Sequence, residues 1–382
     1  MGIEILESRI APAAVLHYMD TDGDKVTVKT SQGTSADLAS ICNLKASGAL
    51  GGMHLNKIDF AENSTIAAEF AGTDLTITVI KSVAGDGKMD VGVINAYGGT
   101  VGTDIALGKV SIQGSLGSIN AGTGSSTGNA IASLTVKSIN GDASAYPSHI
   151  YGNAGTISVS GAFLGKLTVD DTINKLTVGR LVGGTTDYSG YIIASDINTL
   201  TIKGNMVGGS GISSGSITVL NTLQTATING SILGGDGQSD ATLRADTLGT
   251  LLVKQSIKGG SSSFSGAVYV HNGAFQSITV NGGILGGDGD HSGRIIQTGA
   301  SSADGKVVVK GSVKAGGGHY SGEINMQGTL SSLHIFGTLK GAGSAYSGSY
   351  QSGAVLAKAF TTIHIDGGRT DNGLIWVNGI PH

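Results

Sequence analysis

Three aspartates near the N-terminus are the first side chains whose types and spacing could do chemistry. Asp20, Asp22 and Asp24 alternate in "YMDTDGDKVTVKT", residues 18–30, and carboxylate oxygens are ligands that Ca²⁺ prefers. The spacing resembles the start of a calcium loop, but the twelfth position, where such a loop has a bidentate Glu, is Ser31. A hairpin turn built on Asp-Gly explains the same residues. The sequence thus leaves a turn and a weak calcium site as alternatives.

A column of residues that stand just before a Ser-Gly pair could bind sugars. Its members are Tyr188, Ser213, Gln238, Phe264, His291, Tyr320 and Tyr346. Aromatic rings in register on neighbouring strands can stack as an exposed ladder. The candidate glycan-binding residues are therefore Tyr188, Phe264, His291, Tyr320 and Tyr346. The alternative is that stacked side chains only stabilise the corner, because the strip is interrupted twice and lacks Trp.

Catalysis on polysaccharides needs carboxylates on one patch, typically with a nearby His and a basic residue. Asp170 and Asp171 in "TVDDTINKL" are the one adjacent carboxylate pair of the repetitive region. The arginines of that region, aligned by repeat, do not share a column with acidic residues. We therefore expect no enzyme, and a polysaccharide lyase or hydrolase is the least favoured function.

The histidines show no metal-ligand spacing such as HxH or HExxH. His334 and His364 both stand in the middle of the repeated strand. They are expected to face outward in one column, as solvated surface. No cofactor is expected apart from calcium at the N-terminal aspartates.

Glycine-rich loops such as "NGGILGGDGDHSGR" (281–294) could cradle a phosphate. Such a loop occurs once and opens a helix, whereas "GGDG" recurs at 234–237 and 286–289 with no helical pattern after it. Calcium-binding nonapeptide repeats would need copies every nine residues. We interpret the loops as corners, in which glycine supplies the positive φ of a sharp turn.

The elements that must position all these residues follow from an internal repeat. A short apolar strand, a polar residue, glycine and a second short apolar strand recur, and the steps between copies are 26, 25, 27, 29, 26 and 30 residues. Each unit has three strand-like pieces and three corners but no helical stretch. This pattern predicts an all-β, right-handed parallel β-helix with about 26 residues per coil. The third strand residues are Ile202, Ile228, Val253, Val280, Val309, Ile335 and Ile365.

The period divides the chain into three parts. Residues 1–75 break it and are predicted to form an N-terminal β cap or targeting segment with a hairpin, as solenoids require. Residues 76–370 form the predicted β-helix. Residues 371–382 are predicted to be a capping or subunit-joining strand. The single Cys42 fits a buried small apolar residue.

Composition excludes several classes of function. The 382 residues include 65 Gly and only 13% charged residues, and the net charge is −4. Without a basic stripe we expect no nucleic-acid partner. No apolar run approaches the roughly 18 residues of a membrane span.

The segment "LESRIAPAAV" (6–15), together with "DTDGDKVTVKTSQG", "AEFAGTDLTITV" and the "GSITV…SILGGDG" repeats, resembles a known protein family. These are predicted secreted, Gly-rich repetitive β-helix proteins of planctomycetes and verrucomicrobia, with a Leu-Glu-x-Arg signature near the N-terminus. The resemblance implies export to the cell surface or beyond. It implies no catalytic residues.

The leading prediction is therefore an extracellular structural β-solenoid that self-associates into a fibre or a cell-surface layer. The physical reason is that a solenoid end exposes strand edges, which must be capped or paired. "NGLIWVNGIPH" (372–382) and "IAPAAVL" (10–16) could each add a strand to a neighbouring subunit. The alternative prediction is a surface adhesin that binds glycans through the aromatic column.

Overall fold

The structure is a computed structural model and describes residues 13–47, 52–100, 102–125, 127–141, 143, 147–271, 273–299, 305–342 and 352–381. The chain is 55% strand and 4% helix. It winds as stacked parallel coils of about 25 residues into a β-solenoid of about 10 turns. The predicted parallel β-helix is confirmed.

The N-terminal end consists of short strands and two short helices. They are β1 (Ala14–Met19), β2 (Lys25–Thr30), α1 (Ser35–Ile41), β3 (Cys42–Ala46), β4 (Met53–Asp59), α2 (Ser64–Phe70) and β5 (Leu75–Ile80). The pairs β1–β2, β2–β5 and β3–β4 are antiparallel. The β1–β2 pair is the hairpin predicted at residues 18–30. Parallel stacking starts with β4 and β5, and both continue into the coils that follow.

The two helices have local causes that the repeat pattern does not reveal. The backbone N–H of Asp37 donates to the Thr34 hydroxyl, which caps α1, and that of Ile66 donates to the Asn63 side chain, which caps α2. The buried Phe70 of α2 packs against Phe60, with 5.2 Å between ring centroids. The helices therefore bury apolar side chains against this end.

The early coils contain strands of variable length. They are β6 (Asp90–Ala96), β7 (Leu107–Ile112), β8 (Ser115–Ala121), β9 (Asn129–Val136), β10 (Ser138–Ile139), β11 (Ser148–Ile150), β12 (Asn153–Phe163) and β13 (Lys166–Val182). Successive coils pair in parallel, as β6 does with β8 and β7 with β9.

The later coils are more regular, since a long strand alternates with a two-residue strand in most of them. They are β14 (Tyr191–Ile202), β15 (Met206–Val207), β16 (Ile217–Ile228), β17 (Ile232–Leu233), β18 (Thr242–Val253), β19 (Ile257–Lys258), β20 (Ala267–Val270), β21 (Phe275–Val280), β22 (Ile284–Leu285), β23 (Ile295–Gln297), β24 (Gly305–Val309), β25 (Val313–Lys314), β26 (Ile324–Ile335) and β27 (Leu339–Lys340). The chain ends with β28 (Ala354–Ile365), β29 (Arg369–Thr370), β30 (Leu374–Val377) and β31 (Ile380–Pro381).

The predicted columns of aliphatic residues exist. Each third residue of the repeated strand is the register partner of the next, and all but the last are buried inside the solenoid. The order is Val178, Ile202, Ile228, Val253, Val280, Val309, Ile335 and Ile365. Because coils stack about 4.8 Å apart, each column is a continuous aliphatic ladder.

The glycine loops are corners, as predicted. The Gly209 N–H donates to Ser214 Oγ at 2.9 Å, and the next residue, Gly215, has a φ of 62°. Later coils repeat the contact between the second corner glycine and the serine, at Gly260 and Ser265, Gly287 and Ser292, and Gly316 and Ser321. A Cβ at Gly266 would lie 1.9 Å from the carbonyl oxygen of Lys258. The glycines are therefore required by backbone conformation and close stacking.

Candidate functional site

The predicted aromatic column lies at one corner of the solenoid. Four of its members have left-handed backbone, with φ of 59° at Tyr188, 63° at Phe264, 58° at His291 and 55° at Tyr320. Tyr346 lies outside the described residues. Its place in the column is nevertheless wrong, because the Gly353 N–H donates to the Ser321 carbonyl, so that the aligned Ser-Gly pair of that coil is Ser352-Gly353. The Ser-Gly pair that follows Tyr188, Phe264, His291 and Tyr320 has a positive φ at its glycine, which turns the chain into the next strand.

Three of the predicted residues form one stack. The ring centroids of Phe264 and His291 are 5.0 Å apart, and those of His291 and Tyr320 are 4.8 Å apart, with interplanar angles of 10° and 5°. Tyr188 instead packs edge-on against Tyr191 at 5.3 Å. Inside the stack the ring faces therefore contact each other.

A second assignment in the column, at Gln238, is wrong by one residue. The Ser239 N–H donates to the carbonyl of Ser263, as Ser213 N–H does to that of Gln238. Ser239, with a φ of 59°, is therefore the member of the column in its coil, instead of Gln238. The cause is that Asp240 and Ala241 replace the Ser-Gly pair there.

The two serine positions leave a gap in the column. A cavity of about 420 Å³ lies there, lined by Tyr188, Tyr191, Ser213, Ser239, Arg244 and His271, among others. Tyr191 donates its hydroxyl to Thr218 at 3.0 Å. The lining is mostly polar.

Beneath the stack lies an ion pair that the sequence alignment missed. Arg294 Nη1 lies 3.5 Å from Glu323 Oε2 on the next coil, and both residues are buried. Arg294 also contacts His291 Nδ1 at 2.9 Å. The expectation that no arginine of the repetitive region shares a column with an acid is therefore wrong. Both residues directly follow a Ser-Gly pair in their coils, and this shared position is the sequence signal that predicts their contact.

Burial sets the electrostatics of this cluster. It raises the pKa of Glu323 to about 7, although Arg294 and Asn325 act in the opposite direction. Burial and the nearby Arg294 guanidinium lower the pKa of His291. A neutral imidazole at His291 can accept the hydrogen bond from Arg294 and so fixes the middle ring of the stack.

Asp240 replaces the corner serine in its own coil. The N–H groups of Gly235 and Gly237 donate to Asp240 Oδ2 at 2.9 and 3.1 Å. Its Oδ1 is buried without a hydrogen-bond partner, and burial raises the pKa of Asp240 to about 7. The residue after it, Ala241, has a φ of 44° where other coils have glycine.

The candidate calcium ligands meet in the β1–β2 turn. One carboxylate oxygen from each of Asp20, Asp22 and Asp24 lies within 4.8 Å of the others. Asp20 Oδ1 accepts from the Asp24 N–H at 2.7 Å, and Asp24 Oδ1 accepts from the Ser82 N–H at 2.5 Å. The hairpin turn is thus present and joined to the chain after β5, and calcium binding stays a prediction.

The charges of this turn act on each other. Burial raises the pKa of Asp20 to about 6, and contact with the Asp22 carboxyl adds to the rise. The pKa of Asp22 is correspondingly lowered, first by its hydrogen bond with Asp20. Two close carboxyl groups in a partly buried turn share a proton at mildly acidic pH.

Asp170 contacts a histidine, a partner that was not predicted. His149 Nε2 lies 2.6 Å from Asp170 Oδ1, and Asp171 sits at a register shift of β13. The His149 ring stacks on Tyr151 at 3.9 Å, and Tyr151 stacks on Tyr97 at 3.5 Å. This second aromatic stack escaped the sequence analysis because its members lie in the less regular early coils.

The last coil is only partly covered. β30 pairs with residues 354–357 of β28. Further along β28, Ile363 is 38% exposed although its register partner Leu333 is only 1% exposed. Phe360 and Ile365 are likewise half-buried beside the fully buried Leu330 and Ile335. The interior face of this coil is therefore open over its second half.

Comparison of the chain with family models, curated proteins and solved structures finds no match. Within the part of the chain that the structure describes, no helix has the length and apolar character needed to cross a membrane.

Cys42 is buried, and burial raises the pKa of its thiol to about 12. It therefore packs as a small apolar residue.

Proposed function

We propose that the protein is a structural β-solenoid that self-associates through its C-terminal end, as a building block of an extracellular fibre or cell-surface layer. The observation that carries the proposal is the open interior face of β28. Ile363 occupies a column whose previous member, Leu333, is 1% exposed, yet it is itself 38% exposed. The extracellular location rests on the family resemblance of the sequence.

The backbone of the same segment favours a strand as its partner. Residues 359–365 of β28 pair with β26 on one side. On the other side, the pairing among the described residues is that of β30 with residues 354–357. An edge that is both apolar and unpaired is a template for another strand.

A second copy is the partner that best fits this end. Its own β28 would supply an edge with the same alternation, the same half-buried Phe360 and Ile365 and the same exposed Ile363. Two such ends can meet around a two-fold axis, since an isologous contact uses the same patch on both subunits. Growth beyond a pair needs the N-terminal end, where β1 pairs, among the described residues, with β2 alone.

The glycan-binding alternative has less support. The faces of a sugar ring pack on aromatic faces, but within the Phe264, His291 and Tyr320 stack these faces contact each other. The geometry favours the role of stabilising the corner.

Sedimentation velocity over a range of protein concentrations, with negative-stain electron microscopy, tests the proposal. Wild type is expected to form particles longer than one solenoid as the concentration rises. Ile363→Lys places a charge on the open face and is expected to stay monomeric. The matched control is Leu220→Lys, because Leu220 is 52% exposed on the side of the solenoid. This variant should associate as wild type does. A wild type that is monomeric at every concentration, or Ile363→Lys that associates normally, would overturn the proposal.

A further inference from the structure

Two histidines and an aspartate converge on the outer face of the last two coils. His334 on β26 and His364 on β28 are register partners, so the predicted common column is confirmed. Asp366 directly follows β28 and was not singled out from the sequence. His334 Nε2 lies 3.1 Å from Asp366 Oδ1, and His364 Nε2 lies 2.7 Å from the same oxygen. Two imidazole nitrogens from stacked coils therefore meet at one carboxylate oxygen.

The column of Asp366 changes its charge at this place. In earlier coils, backbone hydrogen bonds put Lys203, Lys254 and Lys310 at the equivalent position, in alternation with Asn229 and Asn281. The previous coil has Phe336 there, and its ring stacks on His334 at 3.9 Å with an interplanar angle of 18°. Phe336 thus holds the His334 ring in place, and Asp366 is the first acid in this column from Lys203 onward.

The spacing matches the ligands of a transition metal. Bonds of about 2.0–2.2 Å from Zn²⁺ to His nitrogen and carboxylate oxygen, at tetrahedral angles, put ligand atoms about 3.3 Å apart. The contacts of 2.7 and 3.1 Å are close to that separation, and one ligand atom from each of the three residues lies within 4.8 Å of the others. Small side-chain shifts are enough to admit an ion.

We propose that His334, His364 and Asp366 bind a divalent transition-metal ion, for which zinc is the probe. Two imidazoles and one carboxylate suit such an ion better than Ca²⁺, which takes oxygen ligands alone. Three protein ligands leave a fourth position of a tetrahedral ion for water. The side chain of His364 is 70% exposed and those of His334 and Asp366 are 32% and 38% exposed, so the ion enters from solvent.

Calorimetric titration of the chelator-treated full chain with zinc sulfate, after removal of the chelator, tests this proposal. One saturating ion per chain is expected. Removing even a hydrogen-bond partner of a metal ligand costs about 10- to 100-fold in affinity, so His364→Ala is expected to weaken binding by at least that factor. Because His364 is so exposed, the variant is expected to fold as wild type does, which circular dichroism checks.

His17→Ala is the matched control, since His17 is exposed on β1 far along the chain from the cluster and contacts Thr27. It should leave the titration unchanged. Co²⁺ absorption bands provide a second readout, which His364→Ala and Asp366→Asn should alter. Absence of saturable zinc binding, or binding that His364→Ala leaves intact, would overturn the proposal. Metal binding is a property of one chain, so its outcome is separate from that of the self-association test.

Discussion

The two ends of the solenoid differ in how completely the exposed face of the terminal coil is covered. At the N-terminal end, antiparallel strands and two helices cover the first coil, and Phe60 and Phe70 are fully buried there. At the C-terminal end, a short hairpin of β30 and β31 covers only the first half of β28 among the described residues. A stack of coils has two exposed faces, and this chain uses extra sequence to close one of them.

The difference indicates which end contributes to the stability of the fold and which end is available for interaction with a partner. A closed end contributes to folding through buried side chains, whereas an open end leaves apolar area and strand edge for a partner. Equivalent substitutions at the two ends should therefore have unequal effects.

Paired Phe→Ala substitutions should separate the ends most strongly. Phe70→Ala removes a fully buried ring and is expected to lower the free energy of unfolding by about 3–5 kcal/mol. Phe360→Ala removes a half-buried ring and is expected to cost about 1 kcal/mol in the monomer. Urea unfolding at a concentration where the chain is monomeric measures both. Equal losses would mean that the C-terminal end is as well closed as the N-terminal end.

A smaller expected effect is the pH dependence of stability in the regular coils between the two ends, β14 to β27, with which both ends are compared. Burial raises the Asp240 pKa from 3.8 to about 7, so the folded state keeps a proton that the unfolded state releases. The free energy of unfolding is therefore expected to fall as pH rises from 3.8 to about 7. Asp240→Ser restores the corner serine and should stabilise the chain most above that range. Thermal unfolding at several pH values measures the difference.

Ser265→Asp is the reciprocal control, because Ser265 occupies the same corner of the next coil. It should introduce the same fall in stability with rising pH. If Asp240→Ser leaves the pH profile unchanged, the pH dependence comes from another group, such as Glu323, whose pKa burial also raises to about 7. The two ends must then be compared at a single pH.

The sequence predicts the coils because their period is imposed by packing. An aliphatic residue about every 26 positions can lie on one continuous interior only if the coils stack, and Ile202, Ile228 and Val253 do so. The column at the corner was placed correctly at Tyr188, Phe264, His291 and Tyr320. It failed at Gln238, where Asp240 and Ala241 replace the Ser-Gly pair, and at Tyr346, because the pair aligned with Ser321-Gly322 is Ser352-Gly353.

What escaped prediction depends on contacts between coils or on segments without the period. Asp366 comes beside His334 only through the stacking of two coils, in a column that has Lys, Asn or Phe in the coils from Lys203 to Phe336. Helices α1 and α2 and the Tyr97–Tyr151 stack lie where the repeat is absent or irregular. Arg294 and Glu323 each follow a Ser-Gly pair, so the alignment of the repeats already places them in one column.

Hydrogen exchange of β28 at low and high protein concentration tests most directly whether the C-terminal end is an open, self-associating edge. The account predicts that amides of residues 359–365 that face away from β26 exchange fast in the dilute monomer and become protected as the concentration rises. Strand β2, paired on both sides with β1 and β5, should be protected equally at both concentrations. Exchange in residues 359–365 that is already slow in the monomer, or that concentration does not change, would contradict the account.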